Sequence, residues 1–225
     1  GQCFDMEFVH RAQPGAVSIT QSSEMGTVYS PDEVSALAEV AHANNLALHM
    51  DGARLSNAAA SLHVPVRAFT ADAGVDLVSF GLTKNGAMAA ESVIVLNGDR
   101  VQGVDFLRKT SMQLASKMRF LSAQFAAMLT DDLWLRSAGH ANAMASRLHD
   151  GVGDLSGVTI TQSVDANAVF VLLPEQVASR LQERFHFYTW DQATGEVRWM
   201  CAWDTTESDV DDFVAAVRGE IASGA

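Results

Sequence analysis

Short apolar segments rich in β-branched residues alternate with helical segments through the first hundred residues, and this alternation constrains the fold most strongly. The sequence SPDE at 30–33 has the residues of a helix start with a capping box, and a second helix is predicted over 54–62. Strands are predicted over residues 16–20, 46–50, 75–80 and 91–97. Strands that alternate with helices or turns predict an α/β layer built on a mainly parallel sheet.

The pattern changes after Gly103. Residues 105–150 contain almost no Gly or Pro, and we predict one long helix through 105–129 and another over 133–149. The rest of the chain alternates again, with strands at 158–162, 168–174, 185–190 and 196–203 and helices at 175–184 and 208–221. This part predicts a smaller α+β unit at the C-terminal end.

The charge balance disfavours several kinds of partner. Of the 225 residues, 15 are Lys or Arg and 27 are Asp or Glu, a net charge of −12. A chain this acidic is poorly suited to nucleic acid or to an anionic membrane, because both bind basic surfaces. No apolar run has the length of a membrane span, and the first ten residues lack the features of a signal peptide. We therefore expect a cytoplasmic protein.

Cysteine and histidine give no sign of a metal centre. Cys3 and Cys201 are too few for a disulfide scaffold or a cysteine-built zinc site. The seven histidines form no ligand-spaced pair, so we expect no metal. His49 lies in a predicted strand two residues before Asp51, and a structural role is favoured for it. Trp190, Trp199 and Trp203 are interpreted as packing residues of the C-terminal strands.

Lysine is scarce, and one lysine occupies a position that suits catalysis. The chain has only Lys84, Lys109 and Lys117. Lys84 directly follows the third predicted strand, in the turn SFGLTKNG, and α/β folds build their sites at the carboxyl ends of parallel strands. An amine with a lowered pKa can form a Schiff base there. The alternative is an ordinary surface lysine in a loop.

An acid and an arginine follow the second predicted strand, in HMDGAR. Asp51 comes after apolar residues, where a carboxylate needs a cation or a strong donor, for example a pyridinium nitrogen. The alternative is that Asp51 caps the next helix. The Arg54 guanidinium can bind a carboxylate bidentately, or it can support Asp51. The alternative is an ordinary surface ion pair. Asp51 and Lys84 are expected on one rim of one sheet.

Together these segments resemble a known family. HMDGARLSNA followed by VDLVSFGLTKNGAMAAESVIVLN is similar to the low-specificity L-threonine aldolases, pyridoxal-phosphate enzymes of the β-eliminating-lyase group with the aspartate-aminotransferase type of fold. The segments KMRFLSAQF and ANAVFV agree. The resemblance implies that residues 1–140 form part of the cofactor-binding large domain, with a long interface helix, and that 141–225 form a small α+β domain.

The resemblance also implies roles for individual residues. Lys84 is the expected Schiff-base lysine, and Asp51 is expected to pair with the pyridine nitrogen. Arg198, in EVRWM, matches the arginine that holds the substrate carboxylate, and Arg54 is expected beside the cofactor, bound to a carboxylate or to the phosphate region. Thr83 is a further candidate for cofactor binding.

Other positions match the family less directly. Lys109 is a candidate for substrate binding, and Glu24, Gly26 and Thr27 match a loop at the border of the site. The implied reaction cleaves L-threonine or L-allo-threonine to glycine and an aldehyde. The implied assembly is a homodimer or homotetramer with sites near the subunit interfaces.

The chain departs from the family in one respect. Family members are longer at the N-terminus, in the part with the phosphate-binding turn, the ring that stacks on the pyridine, and the histidine candidates for the base. Nothing before Ala16 resembles that part. Two alternatives therefore stay open: a non-catalytic remnant that associates with a longer relative, and a related enzyme that eliminates a β-substituent.

Overall fold

Two four-stranded sheets organise the chain in the computed structural model, which describes residue 10 and residues 12–224. The first sheet has the order β1-β2-β3-β4, in which β1, β2 and β3 are parallel and β4 is antiparallel. Its strands are β1 (Ala16–Thr20), β2 (Ala47–Gly52), β3 (Leu77–Gly81) and β4 (Glu91–Val95). The sequence prediction of an α/β layer with a mainly parallel sheet is confirmed.

The second sheet is antiparallel, with the order β5-β6-β8-β7. Its strands are β5 (Thr159–Ile160), β6 (Ala168–Leu172), β7 (Tyr188–Asp191) and β8 (Glu196–Met200). The helices are α1 (Pro31–Ala43), α2 (Leu55–Leu62), α3 (Val104–Thr110), α4 (Arg119–Leu129), α5 (Leu133–Val152), α6 (Glu175–Gln182) and α7 (Glu207–Gly224).

Helix α1 begins where its capping residues predict. The Ser30 side chain accepts a hydrogen bond from the Glu33 amide, and the Glu33 carboxylate accepts one from the Ser30 amide at 2.8 Å. Pro31 occupies the first turn, where its missing N–H leaves no helical hydrogen bond unmade. The buried face of α1 packs against β2 and so supports the strand that ends at Asp51.

The two faces of the first sheet differ in chemistry. Leu48, Met50 and Val78 lie on the face that is buried in the main hydrophobic core. His49 and Ser79 alternate with them on the half-buried opposite face. The strands thus present polar side chains on one face while the other anchors the sheet, and Asp51 belongs to the polar face.

A buried carboxylate fixes the amino end of β3. Asp76 is 1 % exposed and accepts hydrogen bonds at 2.8 Å from the Leu48 amide and the Asn97 side chain. The His42 Nε2 atom lies 2.8 Å from Asp76 Oδ2, the oxygen that also accepts from the Leu48 amide. These contacts satisfy an otherwise costly buried charge and tie α1, β2 and β3 together.

The prediction of one long helix through 105–129 is wrong. The segment forms α3 and α4, and between them the backbone has positive φ at Met112 (55°) and Lys117 (63°). Positive φ is incompatible with a right-handed helix. No residue of α3 is buried among the described residues, so burial does not hold α3 in line with α4.

A large apolar surface is exposed along β4, α3 and α4. Strand β4 returns antiparallel because only nine residues separate it from β3, too few for a crossover connection. The exposed apolar residues of this surface are Val93, Ile94, Val95, Leu96, Phe106, Leu107, Met112, Leu114 and Phe120. Exposed apolar residues in this number are typical of an interface.

Helix α5 belongs to both halves of the molecule. In its first half it packs on α2, where Asn57 and Asn142 exchange hydrogen bonds. Near its end it packs on α7, where Arg147 binds Asp211 through two hydrogen bonds. The predicted division between residues 140 and 141 lies within this helix and stays a prediction. Within the part of the chain that is described, no helix has the length and apolarity needed to cross a membrane.

Candidate active site

The carboxyl ends of the parallel strands gather most of the predicted residues at one edge. The Gln21 amide, just past β1, donates a hydrogen bond of 2.8 Å to the Asp51 carbonyl of β2. Asp51 in turn is in register with Ser79 of β3, the strand that leads to Lys84. The predicted common rim for Asp51 and Lys84 agrees with this topology, because both follow neighbouring parallel strands.

The Asp51 carboxylate is held in place by the turn that follows it. Its Oδ1 atom accepts a hydrogen bond of 2.9 Å from the Ala53 amide. The side chain is half-buried, so one oxygen is fixed by the main chain while the carboxylate keeps access to the open face. The alternative that Asp51 caps α2 is wrong, because the N-cap residue of this helix is Arg54 and no side chain caps it.

Arg54 stands at the centre of a cluster of opposite charges. Burial lowers the pKa of its guanidinium below the ordinary value, and the positive charge of Arg198 lowers this pKa further. The carboxylates of Glu24 and Asp51 act in the opposite direction. Arginine stays protonated at neutral pH, so the cluster holds two guanidinium groups near two carboxylates.

Arg198 reaches this cluster from the second sheet. Its guanidinium carbon lies 4.3 Å from the centre of the Trp190 ring, a cation–π geometry. Its Nε atom is buried and has no hydrogen-bond partner among the described residues. A buried N–H without a partner is costly, so this position suits an acceptor such as a carboxylate.

The loop between β1 and α1 connects the two sheets. Gly26 has a φ of 79°, and a Cβ atom there would lie 3.3 Å from both the Ala168 and Phe170 side chains of β6. Phe170 is in register with Arg198. The Val28 amide also donates a hydrogen bond of 3.2 Å to Asp165. The loop that carries Glu24 is thereby anchored beside Arg198.

Lys84 lies in a short 3-10 turn, Thr83–Asn85, whose ends are fixed by buried neighbours. Leu82 is fully buried, and the buried Asn85 side chain donates a hydrogen bond of 2.8 Å to the Trp134 carbonyl. Thr83 Oγ1 accepts one of 3.0 Å from the Ala90 amide. The lysine itself is exposed on this rigid support.

The remaining predicted residues differ in placement. Lys109 is exposed on α3, and no hydrogen bond or ion pair within the described ranges connects it to the Arg54 cluster. Its role in substrate binding stays a prediction, as does a cofactor contact of Thr83. The His49 ring lies between the hydroxyls of Ser18 (2.8 Å) and Ser79 (2.9 Å), which fits the structural role favoured for it.

Sequence reasoning assigned Trp190, Trp199 and Trp203 to packing alone, and two of them lie beside predicted site residues. Trp190 stacks on Arg198, and the Trp203 ring lies against Gly86, two residues after Lys84. The sequence signal that could have placed Trp190 beside Arg198 is the short hairpin that joins their two strands. For residues 10 and 12–224, no group of three or more His, Cys, Asp or Glu side chains is arranged to hold a metal ion.

Comparison with known proteins agrees with this geometry. The family model for the beta-eliminating lyases matches residues 4–176. The chain belongs to the beta-eliminating lyase family. A low-specificity L-threonine aldolase from a Pseudomonas species is 42 % identical over 211 residues, which cover 93 % of this chain and 61 % of that relative. The chain therefore spans about three fifths of the relative's length.

Solved structures place the chain in the same fold. A threonine aldolase from Leishmania major superposes with a TM-score of 0.86 at 27 % identity, and the match covers 96 % of this chain and 64 % of the Leishmania protein. An L-allo-threonine aldolase homologue from Listeria monocytogenes gives a TM-score of 0.68 at 16 % identity, covering 91 % and 61 %. At that identity the second match supports the fold alone.

Proposed function

We propose that this chain carries the catalytic face of a pyridoxal-phosphate-dependent lyase that cleaves L-threonine or L-allo-threonine to glycine and acetaldehyde. The observation that carries the proposal is the convergence of Arg54 and Arg198 beside Asp51, at the sheet edge that leads to Lys84. The 42 % identity to a low-specificity L-threonine aldolase supports the same assignment.

The residues of this edge fit the cofactor at two of its three binding points. The Asp51 carboxylate, oriented by the Ala53 amide, suits a protonated ring nitrogen. The exposed Lys84 amine suits the aldehyde carbon. The described residues provide no assigned cradle for the phosphate, which requires several N–H donors. When bound, pyridoxal phosphate accepts the electron pair of the broken Cα–Cβ bond.

The arginines are assigned to the substrate carboxylate. Arg198 has an unpartnered buried Nε–H, and its guanidinium is in cation–π contact with Trp190. Arg54 adds a second positive charge. In the reaction the β-hydroxyl loses a proton and Cα gains one, so a base is required. No described residue is assigned as this base.

Assembly and location form part of the proposal. The apolar surface along β4, α3 and α4 supports association into a homodimer or homotetramer, with Lys109 on the associating segment and available to a substrate site. The substrate is a small amino acid, and we infer a cytoplasmic location. Light scattering after size exclusion measures the oligomer, and a monomer at micromolar concentration contradicts this part.

The test of the cofactor site is chemical trapping. The purified chain is mixed with pyridoxal phosphate, freed of excess, reduced with borohydride and mapped by peptide mass. A stoichiometric label on Lys84 is expected, lost in Lys84→Ala and kept in the control Lys117→Ala. A label on Lys109 or Lys117 alone, or no retained cofactor, contradicts the proposal and favours a non-catalytic remnant.

The reaction itself is tested by its products. With L-threonine the expected products are glycine and acetaldehyde in equal amounts. Ammonia and a 2-oxo acid would instead identify a β-eliminating enzyme that uses the same site. Arg198→Lys is expected to raise KM much more than it lowers kcat, because lysine cannot bind a carboxylate bidentately.

A further inference from the structure

The indole of Trp203 lies against the turn that carries Lys84, although the two residues belong to different halves of the chain. A Cβ atom on Gly86 would lie 3.2 Å from Trp203 Cδ2 and 3.4 Å from its Cγ and Cε2 atoms. Gly86 has a φ of 108°, and the indole packs against the space that its missing Cβ atom leaves open. Because Gly86 is two residues after Lys84, the indole contacts the lysine turn itself.

The turn around Lys84 is held by its own backbone. The Asn85 and Ala87 amides both donate hydrogen bonds to the Leu82 carbonyl, at 2.9 Å and 3.1 Å. Leu82 is fully buried, so the acceptor of both bonds is anchored in the core. The turn therefore moves as one piece, and a contact at Gly86 affects the position of Lys84.

Trp203 belongs to the same rigid segment as Arg198. Just past the end of β8, Cys201 and Asn167 exchange two hydrogen bonds, of 2.9 Å and 2.6 Å. The Thr205 hydroxyl then accepts a hydrogen bond of 2.8 Å from the amide of the residue before Trp203. The chain from Arg198 to Trp203 is thus fixed to the second sheet and to the turn that follows it.

Helix α5 supports both sides of this contact. Its Trp134 carbonyl accepts a hydrogen bond of 2.8 Å from the Asn85 side chain, in the lysine turn. Its His140 Nε2 atom lies 2.6 Å from the Thr205 carbonyl, in the turn that carries Trp203. The two turns are therefore attached to one helix, and the Trp203 indole lies between them.

We propose that Trp203 is a positioning residue that sets the spacing between Lys84 and Arg198. The inference rests on the proposed function, in which the substrate nitrogen takes the place of the Lys84 amine and Arg198 binds the carboxylate. An amino acid reaches both points only when their spacing matches its length. By joining the two rigid segments, Trp203 favours an α-amino acid, in which a single carbon separates the nitrogen from the carboxylate.

The test compares glycine with β-alanine, whose carboxylate is one carbon farther from its nitrogen. Spectroscopic titration of the cofactor-loaded chain measures both dissociation constants in the parent and in Trp203→Leu. Loss of the indole is expected to lower the preference for glycine over β-alanine about fivefold. Trp203→Phe, which keeps a ring against Gly86, is expected to retain most of this preference. A role in stability alone would leave the ratio unchanged, because an unfolded chain binds neither amino acid.

A control variant removes the other tryptophan beside Arg198. Trp190→Leu is expected to weaken glycine and β-alanine by the same factor, because it weakens the carboxylate contact without changing the spacing. Amide hydrogen exchange of the chain without cofactor gives a second readout. Trp203→Leu is expected to speed exchange of the Ala87 amide about tenfold and to leave that of Leu96, which is bonded to the Asp76 carbonyl, unchanged.

The outcomes separate this inference from the proposed function. A parent chain that retains no cofactor contradicts the proposed function, and exchange at Ala87 then tests the Trp203 contact by itself. The inference is overturned by an unchanged ratio of glycine to β-alanine affinity in Trp203→Leu, or by an Ala87 amide that exchanges as it does in the parent.

Discussion

The central carbon of the Arg198 guanidinium lies 4.3 Å from the centre of the Trp190 ring. The two residues come from neighbouring antiparallel strands, so the sheet itself sets their contact. A long arginine side chain loses rotamer entropy when it binds a carboxylate. The contact with the indole removes part of that entropy beforehand, because it already restricts the positions of the guanidinium.

We therefore predict that Trp190→Leu weakens carboxylate binding at this edge. Loss of the cation–π contact is expected to raise the dissociation constant of glycine about threefold to fivefold in the cofactor-loaded chain. Trp190→Phe, which keeps an aromatic face, is the matched control and is expected to lose less. Spectroscopic titration measures the glycine dissociation constant of both variants. Equal increases in the two variants would show that the Trp190 contact contributes by packing alone.

Gly86→Ala is predicted to disturb the turn of Lys84. Gly86 has a φ of 108°, and an added Cβ atom would lie 3.2 Å from the Trp203 ring. Strain and contact together are expected to lower the free energy of unfolding by about 1–3 kcal/mol. Gly98→Ala, where nothing lies within 4 Å of the new atom, should change it by less than about 0.5 kcal/mol. Denaturant unfolding of both variants makes the comparison.

Asp76→Asn is predicted to be strongly destabilising. One carboxylate oxygen accepts from the Leu48 amide and the other from Asn97, so an amide NH₂ in either place meets a donor. A loss of about 2–4 kcal/mol in the free energy of unfolding is expected. Asp99→Asn, on an exposed side chain, serves as the control, and similar midpoints for the two variants would contradict this account.

Acid is predicted to weaken the starts of α1 and α7. Hydrogen bonds from Ser30 lower the pKa of Glu33, and those from Thr206 lower the pKa of Asp209. A carboxylate with a lowered folded-state pKa stabilises the fold above its unfolded pKa, and this contribution is lost as pH falls through the folded value. The unfolding free energy should therefore fall between about pH 5 and pH 3.

The matched comparison is the double variant Glu33→Gln and Asp209→Asn. Neither new side chain titrates, so the slope of stability against pH should be shallower than in the parent chain. Urea unfolding at a series of pH values measures the two slopes. Identical slopes would show that other carboxylates control the acid response.

Cys201 is predicted to resist thiol reagents in the folded chain. Burial raises the pKa of its thiol to about 11, so almost no thiolate forms at pH 8. In a Cys3→Ser variant, which leaves Cys201 as the one cysteine, an aromatic disulfide reagent should react only on the timescale of unfolding. Rapid labelling without denaturant would show that the thiol is accessible.

The strands of the first sheet were predictable because local pattern and tertiary role agree. Each has alternating or continuous apolar residues, and each is followed by a polar turn, as at Asp51 and Lys84. The start of α1 was equally predictable, since its capping box is local chemistry. The convergence of Arg54 with Arg198 was implied by resemblance alone, because 144 positions separate them and no local signal encodes that approach.

The break between α3 and α4 was not predictable from the sequence pattern. Positive φ occurs at Met112 and Lys117, although neither residue type favours it and no Gly or Pro marks the site. The surrounding residues are apolar at helical spacing, which predicts a continuous helix. In the structure Phe106, Leu107, Met112, Leu114 and Phe120 are exposed, so burial among the described residues does not enforce the pattern around the break.

The single helix α5 has a consequence for how the molecule opens. Because its first turns belong to the core of the parallel sheet and its last turns to that of the antiparallel sheet, neither core can melt without exposing part of this helix. Amide protons along its middle should then exchange at one common, slow rate set by global unfolding. The two sheets would then unfold together, as parts of a single cooperative unit.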